Sequence, residues 1–187
     1  QSFNLTTTAK IAKSSNVLEG SLWYHYNSKK DLLIEHINLF RSSLKSNLEN
    51  LKDGNQKNVI EKLLGVYGIL WDFRYIFRDS FESYVKKDKK LSKSLNEINA
   101  QLDAFVDDVL VYCIEIGIIE TNENDLNEIG ELVLIVGKHW LDYSKKKYPK
   151  ESNLLLKKRG VNLLIKVLYP YLSNESKEIM DSIYDGS

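Results

Sequence analysis

The side chains best suited to contact nucleic acid are concentrated near the start of the chain, in "NVLEGSLWYHYNSKKDLL", residues 16–33. Four ring-bearing side chains stand side by side there: Trp23, Tyr24, His25 and Tyr26. A helix can bury only one stripe of its surface against its neighbours, so some of these rings must face outward. Outward rings beside small and polar residues are suited to packing on sugars and bases, with hydroxyl and cationic groups at phosphates.

The spacing around these rings predicts two short helices joined by a tight turn. Thr7 can cap the first helix, and Asn16 can adopt the left-handed conformation in the turn "SSN". In the second helix, Leu18, Leu22 and Tyr26 follow at i+4 intervals and are expected to form the buried stripe. A different face then carries Glu19, Gly20, Ser21 and Trp23. Such a pair is typical of a helix-turn-helix, whose second helix lies in the major groove.

The predicted outward face has plausible roles at DNA. Gly20 and Ser21 allow close approach of the backbone, and Trp23 can pack on a sugar or a thymine methyl. Flanking contacts to phosphate are expected from Thr8, His25 and Lys29. Residues 1–33 hold four lysines against two carboxylates, a small local excess of positive charge. The alternative is that all four rings pack at a hinge between the short helices and the next helix.

The elements that must position this segment are predicted to be helical throughout. Only two prolines and nine glycines occur in 187 residues, and the turn signals are far apart. Ser28 with Asp31 three residues later makes a capping box for a long helix to about residue 51. Further helices are expected at about 57–71, 73–87, 91–116, 125–147 and 152–172, with a short last helix in 173–187. The predicted fold class is all-α, with a DNA-binding domain at 1–47 and a larger helical domain at 48–187.

The last two long helices show the apolar spacing of a helix–helix seam. Helices apolar on so much of their circumference need cover on two sides. We expect one cover to be the same helix pair of a second chain, in a two-fold symmetric homodimer; a large single core is the alternative. The predicted dimer interface comprises Ile129, Val133, Val136, Trp140, Val161, Ile165 and Leu168.

Several aromatic residues in the middle of the chain can line a pocket for a small molecule. In "WDFRYIFRDSF", Trp71, Phe77 and Phe81 can surround a ligand, and Arg74 or Arg78 can bind an anion. The alternative interpretation of the same sequence is an ordinary core, with Arg78 paired to Asp79 or Glu82. The full predicted effector site comprises Trp71, Arg74, Phe77, Phe81, Phe105, Tyr112 and His139. Core packing is the alternative for Phe105 and Tyr112, and a metal or catalytic pair with Asp142 or Tyr143 is the alternative for His139.

Composition excludes several other classes of protein. The longest apolar runs are far below the ~20 residues that cross a bilayer, so no membrane partner is expected. The single Cys113 favours a reducing, cytoplasmic setting. No phosphate loop, zinc signature or nucleophile elbow occurs, so we predict no enzyme activity, catalytic residue, metal or cofactor.

"LTTTAKIAKSSNVLEGSLWYHYNSKKDLL" resembles the DNA-binding segment of the TetR family of bacterial transcriptional regulators, whose pattern runs approximately T-T-x-x-I-A-x-x-x-G-V-S-x-G-x-L-Y-x-H-F-x-x-K-x-x-L. The matching residues are Thr7, Thr8, Ile11, Ala12, Val17, Gly20, Leu22, His25, Lys29 and Leu32. The resemblance implies that Thr8, Glu19, Gly20, Ser21 and Trp23 face bases or nearby backbone, with His25 and Lys29 at phosphates. It also implies a variable helical domain for ligand binding and dimerisation.

Some positions depart from the family pattern. Asn16 replaces a glycine, and Leu18 replaces a serine cap, which costs about 1 kcal/mol without compensation. The family's first helix is expected just upstream of Gln1. The resulting expectation is a homodimeric regulator, most simply a repressor, that binds a palindromic double-stranded operator and is released by an apolar or aromatic small molecule. The alternative is a helical homodimeric interaction protein that senses no small molecule.

Overall fold

The computed structural model of the chain describes residues 3, 5–78, 81 and 86–185, with the backbone alone at 123, 124, 184 and 185. In this part of the chain the secondary structure is helical, and the one β-type contact is an isolated bridge between Ile119 and Leu172. Short 3-10 turns occur at Leu51–Asp53 and Tyr169–Tyr171. The α-helices are α1 Thr8–Ser14, α2 Glu19–His25, α3 Lys29–Leu48, α4 Gln56–Asp72, α5 Tyr75–Arg78, α6 Lys89–Glu115, α7 Glu123–Lys147, α8 Asn153–Leu168 and α9 Asn174–Asp185.

Polar side chains set where most of these helices begin. A side-chain oxygen of the residue before the helix accepts a hydrogen bond from a backbone N–H of the first turn, which would otherwise lack a partner. The predicted caps of α1 and α3 are both present: Thr7 accepts from the Lys10 amide and Ser28 from the Asp31 amide. Asn55, Asp88, Asn122 and Ser152 cap α4, α6, α7 and α8 in the same way.

Two predicted helices are shorter than expected. The helix expected at 73–87 is described as the single turn α5, and residues 79, 80 and 82–85 lie outside the described residues. The helix expected at 152–172 ends at Leu168 and continues as a 3-10 turn that contains Pro170. Proline lacks the amide hydrogen that would continue the α-helical ladder, which explains the change.

Helix α3 connects the short N-terminal helices to the remaining helices, α4–α9, which we call the body. Its buried face, Leu33, Ile37 and Phe40, packs in one apolar cluster with Ile76 of α5 and Ile98 of α6. A second cluster lies among α4, α6, α7 and α8 and includes Val59, Leu110, Ile129 and Ile165. The two clusters bury both ends of α4. Helix α3 is packed against the body through the first cluster, so it is not a free linker.

The seam predicted between two chains lies largely within one chain. Ile129 is 0% exposed, and Trp140 and Ile165 are also buried. The indole N–H of Trp140 donates to the Leu156 carbonyl at 2.9 Å. These three residues have almost no surface left for a second chain, so assigning them to a dimer interface is corrected: α7 and α8 use the seam to pack in the monomer core. The other four, Val133, Val136, Val161 and Leu168, are half-buried.

Candidate DNA interface and apolar cavity

The turn between α1 and α2 has the geometry that the sequence indicates. Asn16 has φ 53°, in the left-handed region, and the Val17 amide donates to the Ala12 carbonyl at 3.0 Å. Asparagine tolerates this conformation better than most residues, since its short polar side chain can bond locally. Ala12 and Leu22 are buried and hold the two helices together. The turn therefore fixes α2 at a defined angle to α1.

The start of α2 differs from the prediction in one respect. Leu18 is 79% exposed and so does not belong to the buried stripe with Leu22. It precedes the helix with extended backbone, φ −71° and ψ 142°, so helical i+4 spacing does not apply to it. Its side chain makes no capping hydrogen bond, as the sequence indicated. Leu18 thus adds an apolar group to the exposed end of α2.

One face of α2 is open to solvent and carries the predicted DNA-contacting residues. Glu19, Gly20, Ser21 and Trp23 are all exposed. The Thr8 hydroxyl donates to a Glu19 carboxylate oxygen at 2.7 Å, which links the starts of α1 and α2. A methyl group placed on Gly20 would meet no atom within 4 Å. Packing within this chain therefore does not require a glycine at position 20. The role that is left for Gly20 is to keep the surface of α2 free of a side chain at this point.

The four neighbouring rings divide between surface and interior. Tyr24 is the most exposed, at 86%, and it meets the His25 ring edge-on with 5.1 Å between centroids. Trp23 is exposed, while Tyr26 is half-buried. The sequence left Tyr24 without a role. Its position two residues after the buried Leu22 places it on the opposite side of the helix, which is the signal for exposure.

Lys29, predicted to contact phosphate at the end of this segment, already interacts with another residue of the chain. The Lys29 ammonium donates to the Phe3 carbonyl and lies 4.5 Å from the centroid of the Phe3 ring. Lys30 pairs with Asp88 at 2.8 Å. Lys10 and Lys13 on α1 are exposed. The positive charge that faces outward beside α2 therefore comes mainly from α1, and a phosphate contact by Lys29 stays a prediction.

The predicted effector residues do not converge on one pocket. Phe81 is buried against the Phe3 ring, and Phe77 meets Phe40 edge-on at 5.3 Å. His139 is exposed and stacks on Tyr143, and the Tyr112 hydroxyl donates to the Lys52 carbonyl at 3.5 Å. Trp71 is buried, and the Arg74 guanidinium lies 4.8 Å from the centroid of its ring. Asp142, considered with His139, pairs with Lys146; Asp79 and Glu82, considered with Arg78, lie outside the described residues.

An apolar cavity of about 150 Å³ lies inside the body. Of the seven predicted effector residues, Phe105 alone lines it. The remaining lining comes mainly from four helices, including Ile60, Leu64 and Tyr67 of α4, Val109 and Cys113 of α6, Leu134 and Gly137 of α7, and Leu164 and Leu168 of α8. These are ordinary core residues, so no sequence signal separates them from packing. Burial raises the pKa of the Cys113 thiol to about 12, so this thiol is apolar wall and not a nucleophile at neutral pH.

Tyr67 brings a buried hydroxyl to the cavity lining, which also includes Lys138. It is 3% exposed, and its hydroxyl has no hydrogen-bond partner among the described residues. Burial raises the pKa of this hydroxyl, so it stays protonated and can act as a donor. A buried hydroxyl without a partner costs about 1–3 kcal/mol.

Over the described residues, these features define a helical protein with an N-terminal helix-turn-helix and an apolar cavity in its body. The family model of TetR, described as a bacterial transcriptional repressor, matches residues 39–180. The chain therefore belongs to the TetR family; it is a transcriptional regulator and not an enzyme. The match lies almost wholly in the body, whereas the motif resemblance lies in the N-terminal segment, so the two observations are independent.

Two solved structures share the fold. A TetR-family transcriptional regulator from Marinobacter aquaeolei VT8 has a TM-score of 0.71 at 21% identity, covering 95% of this chain and 87% of that chain. The ketosteroid transcriptional regulator KstR2 of Mycobacterium tuberculosis has a TM-score of 0.56 at 18% identity, covering 92% and 87%. No curated protein matches the chain. None of the described helices combines the length and apolar character that a membrane crossing requires.

Proposed function

We propose that this chain is a cytoplasmic, ligand-responsive repressor that binds a palindromic operator as a homodimer and is released by a small apolar molecule. The observation that carries the proposal is the open face of α2, where Gly20 lacks any packing role and Trp23 is exposed. In a helix-turn-helix this face enters the major groove, and a dimer places two such helices roughly 34–36 Å apart or more. The proposed boundary between the DNA-binding domain, 1–47, and the effector domain, 48–187, falls at the end of α3.

The proposed base and near-backbone contacts are Thr8, Glu19, Gly20, Ser21 and Trp23, with His25 and Lys29 at phosphates. The Thr8–Glu19 hydrogen bond supports a specific role for Glu19. A carboxylate facing DNA repels phosphate but can accept from a cytosine amino group. With one oxygen held by Thr8, Glu19 keeps the other for that donor. Tyr24 joins this set as an exposed ring at the edge of the face.

For the dimer, we propose the apolar residues that the monomer leaves exposed on α7 and α8. Ile135 is 61% exposed, and Leu132 and Tyr143 lie along the same side of α7. Leu155 and Leu163 are exposed on α8. Exposed apolar groups that form one patch are characteristic of interaction surfaces. The half-buried Val136 borders this patch, which retains part of the predicted interface.

For the effector, we propose the apolar cavity. A cavity of about 150 Å³ holds a molecule of roughly the size of benzene, whereas drug-sized ligands occupy about 300–1,000 Å³. A larger effector must therefore separate the helices that line the cavity, and it then favours a conformer other than the present one. Such unequal binding to two conformers is the only way a ligand can shift DNA affinity. The Tyr67 hydroxyl is the proposed donor to a polar atom of the ligand.

The DNA-binding part of the proposal is tested by the affinity of purified variants for duplexes carrying the DNA upstream of the protein's own coding sequence. Trp23→Ala should weaken specific binding by about 1–3 kcal/mol, the range for loss of one good base contact. Gly20→Ala should also weaken binding, yet raise the free energy of unfolding by up to about 1 kcal/mol, since alanine favours a helix over glycine. Fluorescence anisotropy and urea unfolding give the two quantities.

Tyr169→Ala removes a ring of similar exposure on the body and serves as the matched control. It should leave DNA affinity unchanged. Equal affinities for wild type, Trp23→Ala and Gly20→Ala would remove α2 from the interface. The absence of any DNA affinity in all variants would favour the interaction-protein alternative.

A further inference from the structure

A second cavity, of about 390 Å³, lies at the junction between the N-terminal helices and the body. It shares no lining residue with the apolar cavity. One wall comes from the N-terminal segment and includes Phe3, Ile11 and Leu32; the opposite wall includes Arg74, Tyr75, Arg78 and Lys145. We call this cavity the junction cleft. Anything bound in it contacts both the DNA-binding segment and the body.

The charges that line the junction cleft are unbalanced. Three cationic side chains, Arg74, Arg78 and Lys145, face one carboxylate, Asp72. That carboxylate is engaged by Lys157 at 3.5 Å. Among the described residues, the Lys145 ammonium donates to the backbone carbonyls of residues 149 and 151 and to no carboxylate. Among the described residues, the cationic groups that line the cleft therefore outnumber the anionic ones.

The two arginines are the strongest feature of this wall. The Arg74 guanidinium donates to the Trp71 carbonyl at 2.6 Å, and the side chain of the half-buried Arg78 has no hydrogen bond or ion pair among the described residues. Burial lowers the pKa of Arg74, and the nearby Arg78 lowers it further, against the opposing effect of Asp72. Two like charges placed this close destabilise the empty cleft. A guanidinium offers a planar fork of donors that matches a carboxylate in two parallel hydrogen bonds.

His36 of α3 adds a neutral polar group to the wall that also includes Phe3, Ile11 and Leu32. Burial lowers the pKa of its imidazole below the ordinary 6.5, so at pH 7 the ring is uncharged. It hydrogen-bonds to the Tyr75 hydroxyl across the junction. The remaining lining on this side is Phe3, Ile11 and Leu32, which are apolar, together with Thr6. The cleft thus combines a cationic end with an apolar wall.

We propose that the junction cleft binds a small organic carboxylate, with the carboxylate between Arg74 and Arg78 and the apolar body against the N-terminal wall. The volume of about 390 Å³ falls within the range of small-molecule sites. This site is separate from the apolar cavity, and its occupant differs in charge from the proposed effector. Because both walls contact the occupant, it stabilises the contact between the N-terminal segment and the body.

The test uses the full chain with phthalate, an aromatic dicarboxylate, as the probe and phthalamide as its neutral counterpart. Binding is measured by isothermal titration calorimetry and by Tm at constant ionic strength. Phthalate should bind saturably and raise the Tm, while phthalamide and equal ionic strength of chloride should not. Arg78→Gln should reduce phthalate affinity at least tenfold. Because the Arg78 side chain has no partner among the described residues and is repelled by Arg74, the variant should fold with a Tm equal to or above that of the wild type without ligand.

Lys45→Gln, which removes an exposed charge of α3 outside the cleft, is the matched control and should bind phthalate as the wild type does. Arg78→Lys, which keeps the charge but loses the fork, should fall between wild type and Arg78→Gln. The proposal is overturned if phthalate and phthalamide bind equally, or if Arg78→Gln retains full affinity. It is also overturned if inorganic phosphate binds as tightly as phthalate, since the apolar wall would then contribute nothing.

Discussion

Gly160 on α8 lies directly against the Tyr67 ring of α4. An added methyl group at Gly160 would be 2.0 Å from the Tyr67 hydroxyl oxygen and 2.6 Å from a carbon of the Trp140 indole. Neither ring can move away easily, because both are buried in one cluster with Leu141 and Leu156. The absence of a side chain at Gly160 is therefore what allows α8 to approach α4 closely beside the apolar cavity.

Gly160→Ala should lower the free energy of unfolding by about 1–3 kcal/mol, the usual cost of overpacking a core. Gly137→Ala on α7 is the control, since its added methyl would meet the nearest atom at 3.9 Å, an ordinary contact. That variant should be neutral or up to about 1 kcal/mol more stable, from helix propensity. Urea unfolding measures both. Similar stabilities for the two variants would contradict the proposed close approach.

At the residue scale, the sequence predicts features that local chemistry determines. The left-handed Asn16 and the caps Thr7 and Ser28 each depend on neighbours a few residues away, and all three are present. Leu18 is not in the buried stripe, because it precedes α2 with extended backbone and helical i+4 spacing does not apply to it. The contact of Gly160 with Tyr67 joins residues far apart in the chain, so no local pattern indicates it.

Helix α3 is the element through which the N-terminal segment is held to the body. Besides its buried face, it carries two polar links to α6: Lys30 pairs with Asp88 at 2.8 Å, and Arg41 reaches the Ser94 carbonyl and the Glu97 carboxylate, both at 3.4 Å. Asp88 also caps α6 by accepting from the amides of residues 90 and 91. A single carboxylate thus both starts α6 and anchors the start of α3.

This anchor predicts a pH dependence. The hydrogen bond from Lys30 and the bond from the Leu91 amide hold the pKa of Asp88 below its ordinary 3.8. A lowered folded-state pKa means that Asp88 stabilises the protein above about pH 4 and that this contribution is lost as the pH falls through the lowered value. The same pair raises the pKa of Lys30 above 10.5, so the contribution from Lys30 is present below that pH and is lost as the pH rises through the raised value.

Asp88→Asn keeps a capping side chain but removes the charge. Its Tm should be lower than that of the wild type by a constant amount between pH 5 and 9, and the difference should shrink below pH 4. Thermal unfolding across this range measures it. Asp125→Asn at the start of α7, a carboxylate with no ion pair among the described residues, should show no such pattern. A wild-type advantage that persists unchanged at pH 2 would contradict the link.

At the element scale, the sequence predicts which segments are helical, but it does not predict which surface each helix packs against. The predicted starts of α1 and α3 agree with the structure because capping residues mark them. The periodicity of Ile129, Trp140 and Ile165 correctly indicates helices with an apolar seam. It does not say whether the seam meets the same chain or another, because both kinds of packing require the same spacing.

At the scale of the whole molecule, α3 connects an N-terminal helix-turn-helix to a body with an apolar cavity. The all-helical architecture and the DNA-binding segment follow from the sequence, since each rests on a periodic or motif signal. The position of the cavity does not, because residues such as Leu64, Val109 and Leu164 are identical in type to core residues. The junction cleft likewise emerges only when Arg78 and the N-terminal wall are brought together in space.

We propose that occupancy of the apolar cavity and binding of DNA weaken one another in one molecule. The direct measurement is the affinity of the free and the operator-bound protein for toluene and larger apolar ligands, alongside operator affinity with and without them. We expect ligands to bind the free protein more tightly and to weaken operator binding by the same factor, since coupling is reciprocal. Ligands that raise the Tm but bind free and DNA-bound protein equally would contradict the account.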